Sequence, residues 1–498
     1  MHFFIVLFYY IFSIVMRFSF NMNSSKIRLV LLFALPILVQ ACGESSTDTF
    51  PENPSLSPQT SRYYNSGLGP EVVQSFEELE TLMIAASPDG TLAGFKMPTD
   101  TEYEKIPADP KNPITMEKIE LGKLIFHETG ITAGISNMKN TWSCASCHHA
   151  KAGFKAGISQ GIGEGGQGFG NAGEGRTVIP GMEGIADVQP IATPTVLNTT
   201  YQEVMLWNGQ FGNQLNGIIN SNINDDILST ESTPKTANKF GLSGLETQVI
   251  AGFGVHRLDV SETSILRSNS SYIELFNLAF PDGYDDLLVA TSKAIAAYER
   301  SILANNSPFQ MWLQGQNVSM SYDEIEGAKV FFGKARCSNC HTGPALSSPL
   351  DASEDEMFMS VGFGDLDYNN DIIGSIDESV RFGRGGFTQD ESDNYKFKIP
   401  TLYNLKDTSV FGHGASFRSI REVVDYKLAG SPQIDNTNLD RRFIPIELTE
   451  KERETLILFL EGALHDNALF RYSTEYVPSK LCPLNNDALS KLDLGCDN

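Results

Sequence analysis

The sequence predicts a mainly α-helical protein built from two similar halves joined by long irregular loops. Three observations carry that expectation. Amphipathic stretches at helical spacing recur at 71–86, 272–280, 285–303 and 447–464, and no strand-rich region appears. The pentamer Cys144-Ala145-Ser146-Cys147-His148 returns as Cys337-Ser338-Asn339-Cys340-His341. Each copy follows a related segment that reads as a helix packing on it, Glu120-Leu121-Gly122-Lys123-Leu124-Ile125-Phe126 and Glu326-Gly327-Ala328-Lys329-Val330-Phe331-Phe332.

C-x-x-C-H is the attachment signature of c-type haem. Two thiols on one turn each form a thioether to a haem vinyl group, and the His that follows lies beneath the iron as its proximal ligand. Structural zinc wants four N/S ligands, and a redox dithiol has no need of the trailing His. The motifs therefore predict two covalently bound haem c groups. Cys144, Cys147 and His148 hold the first, and Cys337, Cys340 and His341 the second. The fold class is accordingly two cytochrome c-like haem domains from an internal duplication, at 114–310 and 311–478.

The 498 residues carry 61 acidic against 37 basic side chains, a net charge of −24. That balance argues against nucleic acid and anionic membrane surfaces. It suits a basic partner such as a small electron-carrier cytochrome, and equally keeps an exported protein soluble. Residues 1–41 read as a leader: Lys26 and Arg28 precede the apolar run 29–39, and Val39-Gln40-Ala41 precedes Cys42. Cys42 is then the lipid-bearing residue of a bacterial lipoprotein. Residues 42–113 form a tether and an accessory helix (71–86), with a proline-rich linker at 98–113. The apolar run 3–15 is short for a membrane span. The expected location is periplasmic, with membrane contact only through the anchor. Cys482 and Cys496, in a polar tail at 479–498, are left to pair in an oxidising compartment. The glycine-dense stretch 153–184 and the acidic, glycine-rich stretch 351–386 read as loops.

Further motifs extend the pattern. Leu121-Gly122-Lys123 stands three residues before Phe126. Thr193-Pro194-Thr195-Val196-Leu197-Asn198 is followed by Leu206-Trp207-Asn208-Gly209, and Leu245-Glu246-Thr247-Gln248 comes next. Ile399-Pro400-Thr401-Leu402-Tyr403-Asn404, Phe411-Gly412-His413-Gly414 and Ile420-Arg421-Glu422-Val423-Val424 complete the set. Over 114–466 this layout resembles the bacterial di-haem cytochrome c peroxidases and the related di-haem enzymes that oxidise protein side chains during cofactor maturation.

The resemblance implies roles. Trp207 matches a Trp that relays electrons between the haems, although Asn208-Gly209-Gln210 stands where relatives read Asp-Gly-Arg. Relatives often block the first iron with a His from a Ser-x-Gly-His-Gly loop. Here the loop reads Ser159-Gln160-Gly161-Ile162-Gly163, and Ile162 cannot ligate. The position of the usual acid–base Glu falls on Leu258, beside His256 and Arg257. His256 then either shuttles the proton, ligates the iron or is an ordinary surface residue, with Arg257 placed to stabilise departing hydroxide. For the second haem the sixth ligand is expected at Tyr426, with Lys427, Met357 and Met359 as alternatives. Relatives also hold calcium through an Asn, here Ala192, and two backbone oxygens, here those of Thr408 and Val410.

The expected function is reduction of hydrogen peroxide to water at the first haem, with electrons entering through the second from a small donor cytochrome or other redox protein. The alternatives are a peroxide-dependent oxidase that modifies a Trp or Tyr of a partner protein, and a non-catalytic di-haem electron carrier.

Overall fold

Gly122 and Gly327 show how the chain packs. In this computed structural model helix α2 (Met116–Phe126) crosses α4 (Leu287–Ser301) so closely that a Cβ on Gly122 would collide with the carbonyl of Ala294. Helix α5 (Tyr322–Phe332) crosses α7 (Glu450–Leu458) in the same manner, with Gly327 against the carbonyl of Thr455. Only glycine permits such backbone approach. The structure describes residues 63, 67–134, 138–212, 237–238, 240–350, 352–364, 366 and 376–496. The expected leader, Cys42 and the tether lie outside them.

The two halves share further local construction. Thr195 Oγ1 donates to the Gly153 carbonyl at 2.6 Å, and Thr401 Oγ1 to that of Ala345 at 2.7 Å. Asn198 and Asn404 both take left-handed backbone (φ 60° and 55°). Their side-chain oxygens accept from the backbone just beyond α4 and α7, at Ala304 (2.9 Å) and Asp466 (3.2 Å). Asn tolerates that conformation better than most L-residues. Each Thr-x-x-Asn run thus ties a loop after a haem motif to the end of its packing helix.

The protein is helix-rich with few strands. Helix α1 (Pro70–Ala86), expected as an accessory helix, lies on α5, where Lys329 pairs with Glu78 at 2.6 Å, and its Phe76 stacks at 5.5 Å on Trp312 of the short helix before α5. The proline-rich 98–113 stretch is not a loose linker. Asn112 Nδ2 donates to Glu246 at 2.7 Å, and Asp109 accepts from the Ser243 peptide at 2.7 Å. Helices α3 (Gly244–Val255) and α6 (Ile420–Ala429) stand where only short motifs were visible in the sequence.

Arg176 holds the glycine-dense loop from within, and Asp487 and Asp493 of the tail accept from its backbone. Buried Arg176 donates from Nε to the Ile162 carbonyl (2.6 Å) and from Nη2 to that of Gly163 (2.9 Å), beside the small pair β1 (Gly166–Gln167) and β2 (Thr177–Val178). A second pair, β3 (Phe358–Met359) and β4 (Phe397–Lys398), lies in the other half.

The polar tail is part of the fold. Cys482 and Cys496 are disulfide-bonded, and Ser143 and Ser146, which bracket Cys144, both donate to the Leu484 carbonyl, at 2.9 and 2.8 Å. The tail therefore straps the turn that carries the first motif. Opening the bridge by Cys482→Ser should cost about 3 kcal/mol, the chain-entropy value for a loop of roughly 15 residues. Chemical denaturation of the two forms measures this.

Buried charge sits where α4 meets α3. Arg300 grips Glu246 through both oxygens, at 2.5 and 2.8 Å, while Glu299 is met only by Gln248 Nε2 at 3.2 Å among the hydrogen bonds described. Burial pushes the Glu299 carboxyl up to about 8. The folded chain then holds a proton that the unfolded chain releases in the usual carboxylate range. Stability therefore falls as pH rises through that window. Glu299→Gln should flatten the fall in Tm between about pH 5 and about pH 8; an unchanged slope would show that Glu299 is ionised when folded.

Candidate functional site

Both pentamers fold as a single 3-10 turn, Cys144–Ser146 and Cys337–Asn339, so that each His follows directly on its thiols. His148 Nδ1 faces the Phe154 carbonyl at 3.3 Å, and His341 Nδ1 that of Leu346 at 3.0 Å. A carbonyl can only accept, so Nδ1 carries the proton and Nε2 the lone pair that a metal needs. Burial lowers both imidazoles to about 4, which keeps them neutral. The four thiols are unpaired, and burial pushes those of Cys144, Cys147 and Cys337 up to about 12.

Beside the second motif lies a cavity of about 480 Å³ lined by Cys337, Cys340, His341, Trp207, His413 and Met359. Six cations also line it: Lys155, Arg336, Lys398, Lys427, Arg441 and Arg442, with no Asp or Glu. Burial lowers Lys155 to about 8 and Lys398 to about 7. An apolar space edged only by positive charge, in a chain of net charge −24, fits a flat hydrophobic group bearing carboxylates. Haem has that chemistry, with thiols and a neutral imidazole in place to hold it. Neither lysine had a sequence signature.

Trp207 borders that cavity. Its Nε1 donates to the Ala192 carbonyl at 2.7 Å, and its ring meets His413 edge-on at 6.3 Å, which in turn stacks on Phe397 at 3.5 Å. Ala192 N donates to the His413 carbonyl at 3.0 Å, and its neighbour Thr193 lies by Gly161, itself packed on Cys147. The indole thus stands on a short path between the two motifs. Leu206 has φ 67°, an uncommon conformation for a bulky residue, and the turn after it is held by Arg384, which donates to the Asn208 carbonyl at 3.1 Å. Asn208 and Gln210 hydrogen-bond each other at 3.0 Å in place of the Asp and Arg of relatives.

Near the first motif, the loop containing Ile162 is tied to the end of α3. His256 Nδ1 meets Asp187 Oδ2 at 2.8 Å, and the peptide carbonyl of His256 accepts from Trp142 Nε1 at 3.1 Å. Arg257 pairs with buried Glu164 and also donates to the Ile185 carbonyl at 3.2 Å. Its guanidinium is therefore engaged in holding the loop. His256 stands near enough to His148 for its charge to disfavour protonation of that imidazole. Ile162 is buried, and Gly161 leaves no room for a Cβ beside Cys147 Sγ. Asp187 and Glu164 escape a reading of the sequence because each partner is more than sixty residues away.

Two expectations are corrected. Tyr426 is not among the residues lining the second cavity. Its hydroxyl donates to the Val361 carbonyl at 2.5 Å and accepts from the Gln433 peptide at 3.2 Å, inside a cluster with Phe363, Phe417 and Phe443. Met357 is likewise turned into a core with Val204, Ala352 and Phe358. Met359 and Lys427 do line the cavity. The calcium positions do not suit calcium either. Ala192, Thr408 and Val410 border a space of about 10 Å³ that Lys155 also lines, with no carboxylate. Without acidic oxygen and beside an ammonium, a hard divalent cation has too few ligands.

The di-haem cytochrome c peroxidase family model matches residues 116–318, which include the first motif, Trp207 and His256. The chain is 25% identical to methylamine utilization protein MauG of Methylorubrum extorquens over 72% of its length and 81% of that protein's. It is 24% identical to cytochrome c551 peroxidase of Nitrosomonas europaea over 76% and 89%. The fold is similar to the crystal structure of a MauG-like protein associated with microbial copper homeostasis, with a TM-score of 0.55 over 76% of this chain and 97% of that one at 22% identity. Residues 116–318 thus match the di-haem cytochrome c peroxidase family model, and the relatives that align with more than 70% of the chain are named MauG and cytochrome c peroxidase.

Proposed function

We propose that the chain reduces hydrogen peroxide to water at the first haem and receives electrons through the second from a small donor cytochrome. The observation that carries this reading is the loop at Ile162: it packs on Cys147 with no side chain able to ligate iron, and it is pinned by His256–Asp187 and Arg257–Glu164. The two halves, each with its glycine crossing and Thr-x-x-Asn tie, are read as copies of one haem-binding unit covering 114–310 and 311–478. The leader at 1–41 and Cys42 support an exported, lipid-anchored periplasmic protein.

When bound, the first haem supplies the iron at which peroxide binds and is reduced. The chain supplies the protons. With Nδ1–H donated to Asp187, the Nε2 lone pair of His256 takes a proton from one peroxide oxygen and returns it to the other as the O–O bond breaks. Asp187 fixes the ring and stabilises its cationic form. Arg257 keeps Glu164 neutralised and the loop in place. Two electrons and two further protons complete the conversion of one peroxide to two waters, with Trp207 as the bridge between the motifs.

A second reading is supported by the same loop. A first haem with no blocking residue needs no prior reduction, which equally suits a peroxide-dependent oxidase that modifies a Trp or Tyr of a partner protein. Among the chain's relatives are proteins named MauG. Oxidation of a donor cytochrome by peroxide supports the peroxidase, whereas a covalent mass change in a partner protein supports the oxidase.

His256→Ala should slow peroxide consumption by ~10²–10⁴-fold, and Asp187→Asn by less. Stopped-flow mixing with peroxide reads both, and an unchanged rate in His256→Ala removes His256 from the mechanism. Trp207→Phe should leave the spectra of both haems intact while slowing electron exchange between them; normal turnover in that variant excludes the relay. Two low-spin signals in the resting EPR spectrum would instead make the chain an electron carrier.

A further inference from the structure

A haem held by Cys337, Cys340 and His341 would present its other face to the cavity wall, where few side chains could meet the iron. Of the cavity-lining residues with a donor atom, Lys398 is engaged by Gln202, and His413 is stacked flat on Phe397 at 3.5 Å. Lys155 reaches toward Phe411 and the small space beside Ala192. Tyr395 turns its ring edge-on to Phe382 at 5.5 Å and the arginines keep their charge, so the donors weighed for the iron are the Met359 thioether and the Lys427 amine.

Lys427 lies on the cavity-facing stripe of α6, with Ile420, Val423, Val424 and Leu428, a run at helical spacing. Its stem passes over apolar neighbours, and Nζ stands 4.9 Å from the centre of the Phe443 ring. Among the described residues no carboxylate pairs with it: nearby Asp440 is taken by Arg442 at 2.8 Å. Lys427 stands close enough to Cys337, Cys340 and His341 for its charge to draw both thiols down against burial and to disfavour protonation of the imidazole. A buried ammonium without a counter-ion is costly, and binding a metal as the neutral amine relieves that cost.

We propose that Lys427 is the sixth ligand of the second haem iron, giving a His341–Lys427 pair in place of a thioether or phenolate ligand. The proposal rests on reading Cys337, Cys340 and His341 as a haem site. Ligation releases one proton from the ammonium, and the freed lone pair makes the bond to iron. No electron is exchanged. Methionine ligation raises haem potentials, so an amine donor sets the second haem lower than a thioether would.

The test uses the full-length holoprotein, with haem content fixed by the pyridine haemochrome assay. EPR and near-infrared magnetic circular dichroism of the oxidised protein should show one low-spin haem with two nitrogen ligands. Lys427→Ala should turn that signal high-spin. Lys427→Met, which nearly conserves volume, should restore a low-spin haem with a thioether signature and raise its potential. Met359→Leu should leave the wild-type signal unchanged. A low-spin signal that survives Lys427→Ala, or one lost in Met359→Leu, overturns the proposal. Peroxide turnover is read separately: an amine signature without turnover overturns the proposed activity alone, and turnover with a thioether signature in the wild type overturns the ligand alone.

Discussion

The direct backbone contact made at Gly122 and at Gly327 governs the rest of the molecule. Where two helices touch without intervening side chains, their relative position has little freedom. Each crossing fixes the helix that precedes a haem motif against the helix that ends the same half. Asn198 and Asn404 then tie the loop between them to that closing helix. The Cys-x-x-Cys-His turns hang from this frame, and their histidines are aimed by backbone carbonyls. A larger residue at either glycine would shift a helix, and with it the thiols and imidazole it supports.

Much of that frame was legible in the sequence because covalent haem attachment demands fixed local spacing. The pentamers, the segments before them and the repeated Thr-Pro-x-x-x-Asn-like runs are all contiguous, so a linear reading finds them. Trp207 was legible only through its neighbours Asn208 and Gly209. The partners of the candidate catalytic residues were not legible, because ion pairs across loops leave no local pattern. Asp187 sits in a polar stretch with nothing to mark it, yet it decides which nitrogen of His256 is free. Tyr426 illustrates the opposite error: a neighbour chosen for its chemistry was turned by helix geometry into an aromatic cluster, while Lys427, one residue on, faces the cavity. On a helix adjacent positions point about 100° apart, so a single step changes the environment entirely.

Charge is distributed against the overall balance. A strongly acidic chain keeps six cations around one apolar cavity and excludes carboxylates from its wall. Arg442 has Asp440 as its partner, but the wall itself offers no carboxylate, so the cavity favours an anionic group. The same reasoning explains why a divalent cation is unwelcome at Thr408 and Val410: Lys155 already supplies positive charge there. Retention of the cofactor and exclusion of calcium are two results of one arrangement of lysines.

The strap formed by the tail bears on how the molecule matures. Six cysteines are present in the described residues, and four of them must react with haem rather than with each other. Ring closure favours partners near in sequence. Cys482 finds Cys496 fourteen positions away, whereas every haem thiol lies far upstream. Synthesis proceeds from the amino terminus, so the attachment turns emerge long before their competitors exist. The order of the cysteines along the chain thus gives Cys482 a partner nearer than any haem thiol, and the bridge they form lies in the tail that straps the first attachment turn.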